Sequence, residues 1–532
     1  MDGSWKNLHC LTRNNPDEEQ TKNRTNFVQQ FPKNLGSNIA LFLVNVAIGI
    51  WLIPYYIQNL GVAAYGLIPL AMSLTHYVAV VTIAISGGIA RFLTIDLQRR
   101  EFEKANRTFN TSFWSIVGII AVSIPLLVVF TQLVPILFKV PEDQITSSKF
   151  LFAGIIGAFL LTTLSSCFGA STFAFNRLDL RNFANIIRVS SRVVFVVLLF
   201  ALFSPSLENV ALATVLAALS GFSAHYFYWR KLTPELKINP SYFDKERLKE
   251  LMTMGGWLVV NQVGYLLFLQ IDLIVVNRLF GPTAGGEYAS VLQWNMLLRS
   301  MAGVLSGVAQ PMFMICYARS ETEDLIRIAK MAVKFMGLGL ALPIGLACGF
   351  SSELLTVWIG PEFSKLAPLM MLMLVHLTIN LAVTPLFSIN VCYNKVKIPG
   401  IMTLLMGGLN LILAIWIPLT FDTGFYGVAL AGAIVLTLKN AVFTPWYATH
   451  VMGLRTRIFF RQMITGIAAT LVIFALGALL SRMYQITSWS QLIAIGTVVS
   501  ALYAPCVWFL IMASEERRIF RKMIARRSHG AA

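Results

Sequence analysis

The chain has 532 residues, of which 56% are hydrophobic and only 13% charged, and its mean hydropathy is +0.69. Soluble globular chains carry about 25% charged residues, so a set of water-soluble domains is excluded, and no stretch looks soluble and long enough to be a nucleic-acid module. On so apolar a chain, 42 Lys+Arg against 25 Asp+Glu, a formal net charge of +17, reads as basic loops held on the cytoplasmic side of a membrane.

In chain order, residues 1–34 are polar and mixed in charge, which points to a cytoplasmic tail rather than a cleavable signal peptide. Segments long and apolar enough to cross a bilayer follow near 35–58, 64–93, 109–138, 148–175, 184–203 and 208–230. Residues 231–252 form a basic linker in which Tyr242 to Leu248 suggests an amphipathic surface helix. Further spans lie near 253–280, 286–317, 325–350, 364–391, 398–420 and 424–450, then two more near 458–481 and 489–513. A basic tail, 514–532, closes the chain with Arg517, Arg518, Arg521, Lys522, Arg526 and Arg527, a patch suited to anionic lipid. The expected fold is an all-α integral membrane protein with about 14 transmembrane helices, because an unpaired backbone is prohibitive in lipid. The six cysteines are scattered, with no CxxC, so neither a disulfide framework nor a metal site is expected.

Charge supports this count. The even-numbered connections and both tails hold 33 of the 42 basic residues, the other side holds five, and four fall within spans. That split predicts a multi-pass membrane protein with both termini cytoplasmic.

The chain also repeats itself. At an offset of 220, Gly61, Ala64 and Gly66 match Gly281, Ala284 and Gly286, Ser86-Gly87 matches Ser306-Gly307, and Arg107 matches Arg327. At 218, Asn176-Arg177 faces Asn394-Lys395, and Val210-Ala211-Leu212-Ala213 recurs as Val428-Ala429-Leu430-Ala431. Six spans separate the copies, an even number, so the repeats are parallel. Two six-helix lobes, 35–230 and 253–450, are expected around an axis along the membrane normal, with 451–513 outside the repeat and the substrate between the lobes.

Leu60-Gly61 with Tyr65-Gly66, Ser86-Gly87-Gly88 with Arg91-Phe92, and Leu279-Phe280-Gly281 with Gly286-Glu287-Tyr288-Ala289 carry a family resemblance. So do Asn394 to Pro399, Asn410, and Gly424 to Ala431. Over spans 1 to 12 the chain resembles polysaccharide-type exporters of the multidrug/oligosaccharidyl-lipid/polysaccharide superfamily. The resemblance implies a MATE-like fold and a flippase. Its cargo would be an undecaprenyl-diphosphate-linked oligosaccharide for O-antigen, capsule or exopolysaccharide assembly. Polysaccharide polymerase and chain-length machinery would be its partners.

Cations in a bilayer usually face a cavity or a partner. Arg188 and Arg192, four apart, share a face of span 5; Arg299 and Lys439 fall near the middle of spans 8 and 12; Arg91 ends span 2. These five are the expected cavity cations for a diphosphate or acidic sugar, since guanidinium forks and an ammonium hold phosphate oxygens. Asp272 on span 7 is the one clear intramembrane acid. Its depth and that of Arg299 differ by about 6 Å at a 1.5 Å rise per residue, so either a structural Asp272–Arg299 pair or a role in H+ or Na+ coupling fits. No other cofactor is expected. His76 and His376 titrate near neutral pH in principle, and Pro54, Pro311 and Pro343 are candidate bends.

Three rivals are weaker. A multidrug cation exporter of the same fold should present carboxylates and aromatics to its cargo. A membrane glycosyltransferase or polymerase needs acids or metal ligands on sizeable outer loops, and here those loops are short and no DxD occurs. A peptidoglycan-precursor flippase resembles a branch with arginines in span 1, whereas 35–58 is uncharged.

Overall fold

The computed structural model describes the backbone of residues 16–518, and their side chains except at 16–29, 31, 81, 84, 86, 87, 254–258, 261, 308, 311, 318 and 456. The first fifteen residues, Arg521 to Arg527, and the side chains of Ser86 and Pro311 therefore lie outside the described residues.

Among the described residues there is no strand, and fourteen helices are long and apolar enough to cross a membrane. They are α1 (Pro16–Leu60), α2 (Val62–Gln98), α3 (Phe102–Leu137), α4 (Ile145–Ala174), α5 (Leu178–Leu202) and α6 (Leu207–Leu232). In the second half come α7, in two pieces (Lys245–Leu269 and Ile271–Phe280), α8 (Pro282–Ala318), α9 (Thr322–Gly349), α10 (Pro361–Cys392), α11 (Lys397–Phe421) and α12 (Phe425–Val451). The last two are α13 (Phe460–Met483) and α14 (Trp489–Ile511). The protein is a multi-pass membrane protein. The helix of the first span begins at Pro16, well inside the polar tail. The surface helix expected in the linker is instead the first turns of α7, because Asp244 caps that helix, accepting from the backbone N–H of Glu246 and Arg247 at 2.9 and 3.2 Å. Pro54 and Pro343 sit inside α1 and α9 without breaking them.

The repeat is visible in the backbone. Arg100 and Ser320, both at φ 59°, and Asn176 (φ 54°) with Asn394 (φ 53°) are left-handed residues at the offsets of 220 and 218. Each ends its helix with the same pair of turn bonds; Glu101 N–H reaches Asp96 O, Glu321 reaches Cys316, Arg177 reaches Thr172, and Lys395 reaches Asn390. Gly61 (φ 81°) and Gly281 (φ 94°) make the matching turns at the other end.

On the side away from the basic loops, the repeat mates Gly66 and Gly286 meet each other. A Cβ on Gly66 would lie 2.6 Å from the Gly286 nitrogen, and one on Gly286 would lie 2.2 Å from the Val62 oxygen. Only residues without side chains let α2 and α8 approach so closely. Asn277 of α7 exchanges bonds with the Lys139 backbone at 3.1 and 3.2 Å, and Trp358 Nε1 donates to Ile50 O at 2.6 Å. The lobes are thus closed on that side, and the largest apolar core runs through both.

On the basic side α2 and α7 also close. Arg247 donates to Asp96 at 2.6 Å, and a Cβ on Gly88 would lie 2.8 Å from Leu251. The linker is stapled to α3 by two asparagines. Asn106 bonds the backbone of Glu235 and Lys237, and Asn110 that of Lys237 and Asn239, at 2.7–3.1 Å. Outside the repeat, α13 lies on α9 through facing glycines, Gly466 on Gly337 and Gly477 on Gly349. The end of α14 is held by an ion pair of buried Lys334 with Glu516 at 2.7 Å.

Candidate functional site

Where α1 faces α8 on the basic side, the lobes part around a cleft of about 800 Å³. The two helices touch further in, where Gly49 makes room for Gln293. The cleft is lined by Asn34, Asn38, Asn45, Asn176, Gln293 and Ser300 among apolar residues and two glycines, Gly303 and Gly307, and among the described residues none that lines it is charged. Several amides are held in place: Asn182 Nδ2 donates to Asn38 Oδ1 at 2.8 Å, and Asn34 Nδ2 to Asn176 O at 2.9 Å. An amide offers both donors and acceptors, so the wall suits a neutral polyhydroxyl group.

The expected cations are not gathered in this cleft. Arg299 and Asp272 line a small cavity of about 40 Å³ inside the C-terminal lobe, with Tyr288, Asn295, His376 and Gly432, and only Met296 lines both it and the cleft. Three departures from regular helix surround it. α7 restarts at Ile271 just before Asp272, α10 is interrupted at His376 and again at Val383, and α12 has a π-helical turn at Leu438–Phe443 that carries Lys439. Irregular backbone at membrane depth is tolerated where it lines a cavity, and π turns gather at functional sites.

Of the two readings left open for Asp272, the direct pair with Arg299 is not formed in this structure. The Asp272 carboxylate accepts from Asn410 Nδ2 at 3.1 Å and from the Tyr288 hydroxyl at 3.3 Å, while Arg299 Nε donates to Asn295 Oδ1 at 2.6 Å. The two charges share one cavity wall and act on each other through space. Neutral side chains occupy the direction in which each group points.

Lys439 lies over two rings, 5.1 Å from the centroid of Phe387 and 5.7 Å from that of Phe268, within electrostatic reach of Arg299. In the N-terminal lobe the two arginines of α5 diverge. Arg192 points between α1 and α2, its Nη1 3.9 Å from Met72 Sδ and its charge felt by Tyr56. Arg188 lines another cavity among α2, α4, α5 and α6. Arg91 is exposed at the basic end of α2, and His76 is exposed on the same helix. His376 bonds Asn380 at 2.8 Å, an interaction within α10.

Sequence reasoning missed Asp96, 4% exposed and shared by Arg247 and Thr108, and Lys334, 7% exposed, because both stood near span ends and read as loop charges. It named Asn410 only among the residues of the family resemblance, without placing it on Asp272.

Residues 31–315 match the family described as polysaccharide biosynthesis protein. The chain is also 34% identical over 504 residues to the uncharacterized membrane protein EpsK of Bacillus subtilis (strain 168), covering 94% of this chain and 99% of that one. The chain belongs to the polysaccharide biosynthesis protein family. It is a multi-pass membrane protein of that family. Among solved structures, the lipid II flippase MurJ in an inward closed conformation superposes with a TM-score of 0.64 at 14% identity, covering 90% of this chain and 99% of that one. An inward-facing multidrug resistance MATE family transporter of the MOP superfamily gives 0.60 at 13% identity, covering 85% and 100%. At such identities these likenesses speak for the fold, which is the MATE-like arrangement of two lobes.

Proposed function

We propose that this protein is a transporter that flips a polyprenyl-diphosphate-linked oligosaccharide, with undecaprenyl as the lipid, from the cytoplasmic to the outer leaflet of the bacterial inner (plasma) membrane. The product would feed exopolysaccharide, capsule or O-antigen assembly, with a polysaccharide polymerase and chain-length machinery acting downstream. The observation that carries the reading is the cleft between α1 and α8. Its amide and hydroxyl lining and its volume of about 800 Å³ suit a short glycan, and it lies between helices, where a lipid tail stays in the bilayer.

In this reading the basic side is cytoplasmic, and the closed contact of Gly66 with Gly286 must part for release on the other side. Arg192, Arg299, Lys439 and Arg91 flank the path and draw the diphosphate by charge rather than by contact in this conformation. Asp272, held by Tyr288 and Asn410 in a lobe of broken helices, is the group through which a proton or sodium ion would couple to lobe movement. No step requires catalysis by the protein.

Deletion of the gene is expected to abolish the surface glycan while the lipid-linked intermediate accumulates on the cytoplasmic leaflet. Normal glycan with no accumulated intermediate would overturn the reading.

A further inference from the structure

Inside the N-terminal lobe, α2, α4, α5 and α6 enclose a cavity of about 210 Å³ that shares no lining residue with the cleft. Arg188, Ser165, Asn185 and His225 project onto its wall, Arg181 stands exposed at its basic-side rim, and no carboxylate lines it among the described residues. Three of these groups are buried without a hydrogen-bond partner: Arg188 Nε, Ser165 Oγ and His225 Nδ1. Ser165 is only 3% exposed. Among the described residues no carboxylate pairs with Arg188, and Arg192, one turn along α5, repels it. A desolvated guanidinium in that position is costly unless an anion completes it.

The surroundings are cut to fit the Arg188 stem. A Cβ on Gly221 would lie 2.9 Å from the Arg188 Cβ, so the arginine stem occupies space that only glycine leaves free, and Gly169 lies beside His225 across the same wall. The repeat does not require this space. At the offset of 218 the C-terminal lobe has Phe387 for Gly169, Lys439 for Gly221, Phe443 for His225 and Met406 for Arg188. There the ring and the ammonium of two of those residues rest against each other.

We propose that this cavity binds a phosphate-type oxyanion, entering from the basic side. Arg188 supplies a charged fork, while Ser165, Asn185 and a protonated ring nitrogen of His225 supply further donors to the remaining oxygens. The volume exceeds what one such group needs, leaving room for bridging water. The shared chemistry is a phosphoryl group, whether the phosphomonoester head of an anionic lipid or free phosphate. The site stands apart from the glycan reading, since it concerns neither the cleft nor its cargo.

The test uses the full chain in nanodiscs, followed by its thermal unfolding midpoint. One arm titrates inorganic phosphate against chloride at constant ionic strength in phosphatidylcholine discs; the other raises the share of phosphatidic acid. Saturable stabilisation is expected in at least one arm, with the apparent affinity weakened about tenfold or more by Arg188→Gln and by Gly221→Leu, which pushes the Arg188 stem aside. A response to phosphate in neutral discs assigns the free anion; a response to phosphatidic acid alone assigns the lipid head. If Arg188→Gln does not fold, the Ser165→Ala/His225→Gln double variant reads the same loss of binding. The proposal falls if neither ligand shifts the midpoint, or if the shift survives the substitutions.

Discussion

The two lobes descend from one repeat and treat their polar groups in opposite ways. In the N-terminal lobe α4 runs unbroken from Ile145 to Ala174, whereas its mate α10 is cut at His376 and Val383. α6 is regular, whereas α12 carries a π turn. The N-terminal lobe keeps guanidiniums beside glycine-cleared space; the C-terminal lobe keeps a carboxylate bonded by Tyr288 and Asn410 in a small cavity. Left-handed turns and the glycine crossing persist across the repeat because they set how helices meet, while mid-membrane polar groups were free to diverge. The seams between lobes split likewise: α2 meets α7 through the Asp96–Arg247 pair, while at the offset of 220 the mate of Asp96 on α8 is Cys316, and α8 borders the open cleft.

The largest effect is expected at that seam. Asp96→Asn removes the acid from Arg247 and Thr108, and should lower stability by about 2 kcal/mol. That is less than the roughly 3–5 kcal/mol of a fully buried broken pair, because Arg247 keeps Glu250 at 2.8 Å. Adding Arg247→Gln should recover part of the lost unfolding midpoint; no recovery would mean that the pair does not hold the seam.

Next comes the carboxylate of the C-terminal lobe. Asp272→Asn should cut glycan export about tenfold, within the range of coupling free energies, and remove its dependence on the ion gradient at normal protein levels. Since Arg299 bonds Asn295 and not Asp272, neutralising Arg299 as well should rescue nothing. Loss of protein with rescue by the second change would make Asp272 structural.

Lys439→Met sharpens the contrast between activity and stability. It removes an intramembrane charge that no described carboxylate pairs, at the loss of two ring contacts, so stability should stay level or rise by about 1 kcal/mol. Export should fall nonetheless, measured as surface glycan per transporter. A drop in unfolding temperature would instead mark Lys439 as a packing residue.

The smallest effect belongs to the linker. The backbone N–H of Arg247, then that of Glu246, with Arg107 beside them, holds the Asp244 carboxyl below its ordinary value of 3.8. A depressed folded value means its stabilisation is present above that ordinary value and disappears as pH falls through the lower one. Asp244→Ser keeps a cap without the charge, so its midpoint should change less than that of the parent on acidification. Parallel curves would remove Asp244 from the account.

Membrane class, number of spans and duplication were legible in the sequence, because lipid leaves an apolar segment only the helix and the turns need particular residues. Gly66 and Gly286 stood out as mates; that they touch each other follows from the crossing of α2 and α8, which a linear pattern does not contain. The cation positions were legible too, and Arg188 and Arg192 do lie on adjacent turns of α5. Their separate destinations were decided by what packs there: Gly221 opens a cavity for one, and α1 and α2 receive the other. Where the few buried charges point, and that Asp272 answers to Asn410 and Tyr288 rather than to Arg299, only tertiary packing decided, because a side chain in lipid takes the nearest satisfying partner in space, not in sequence.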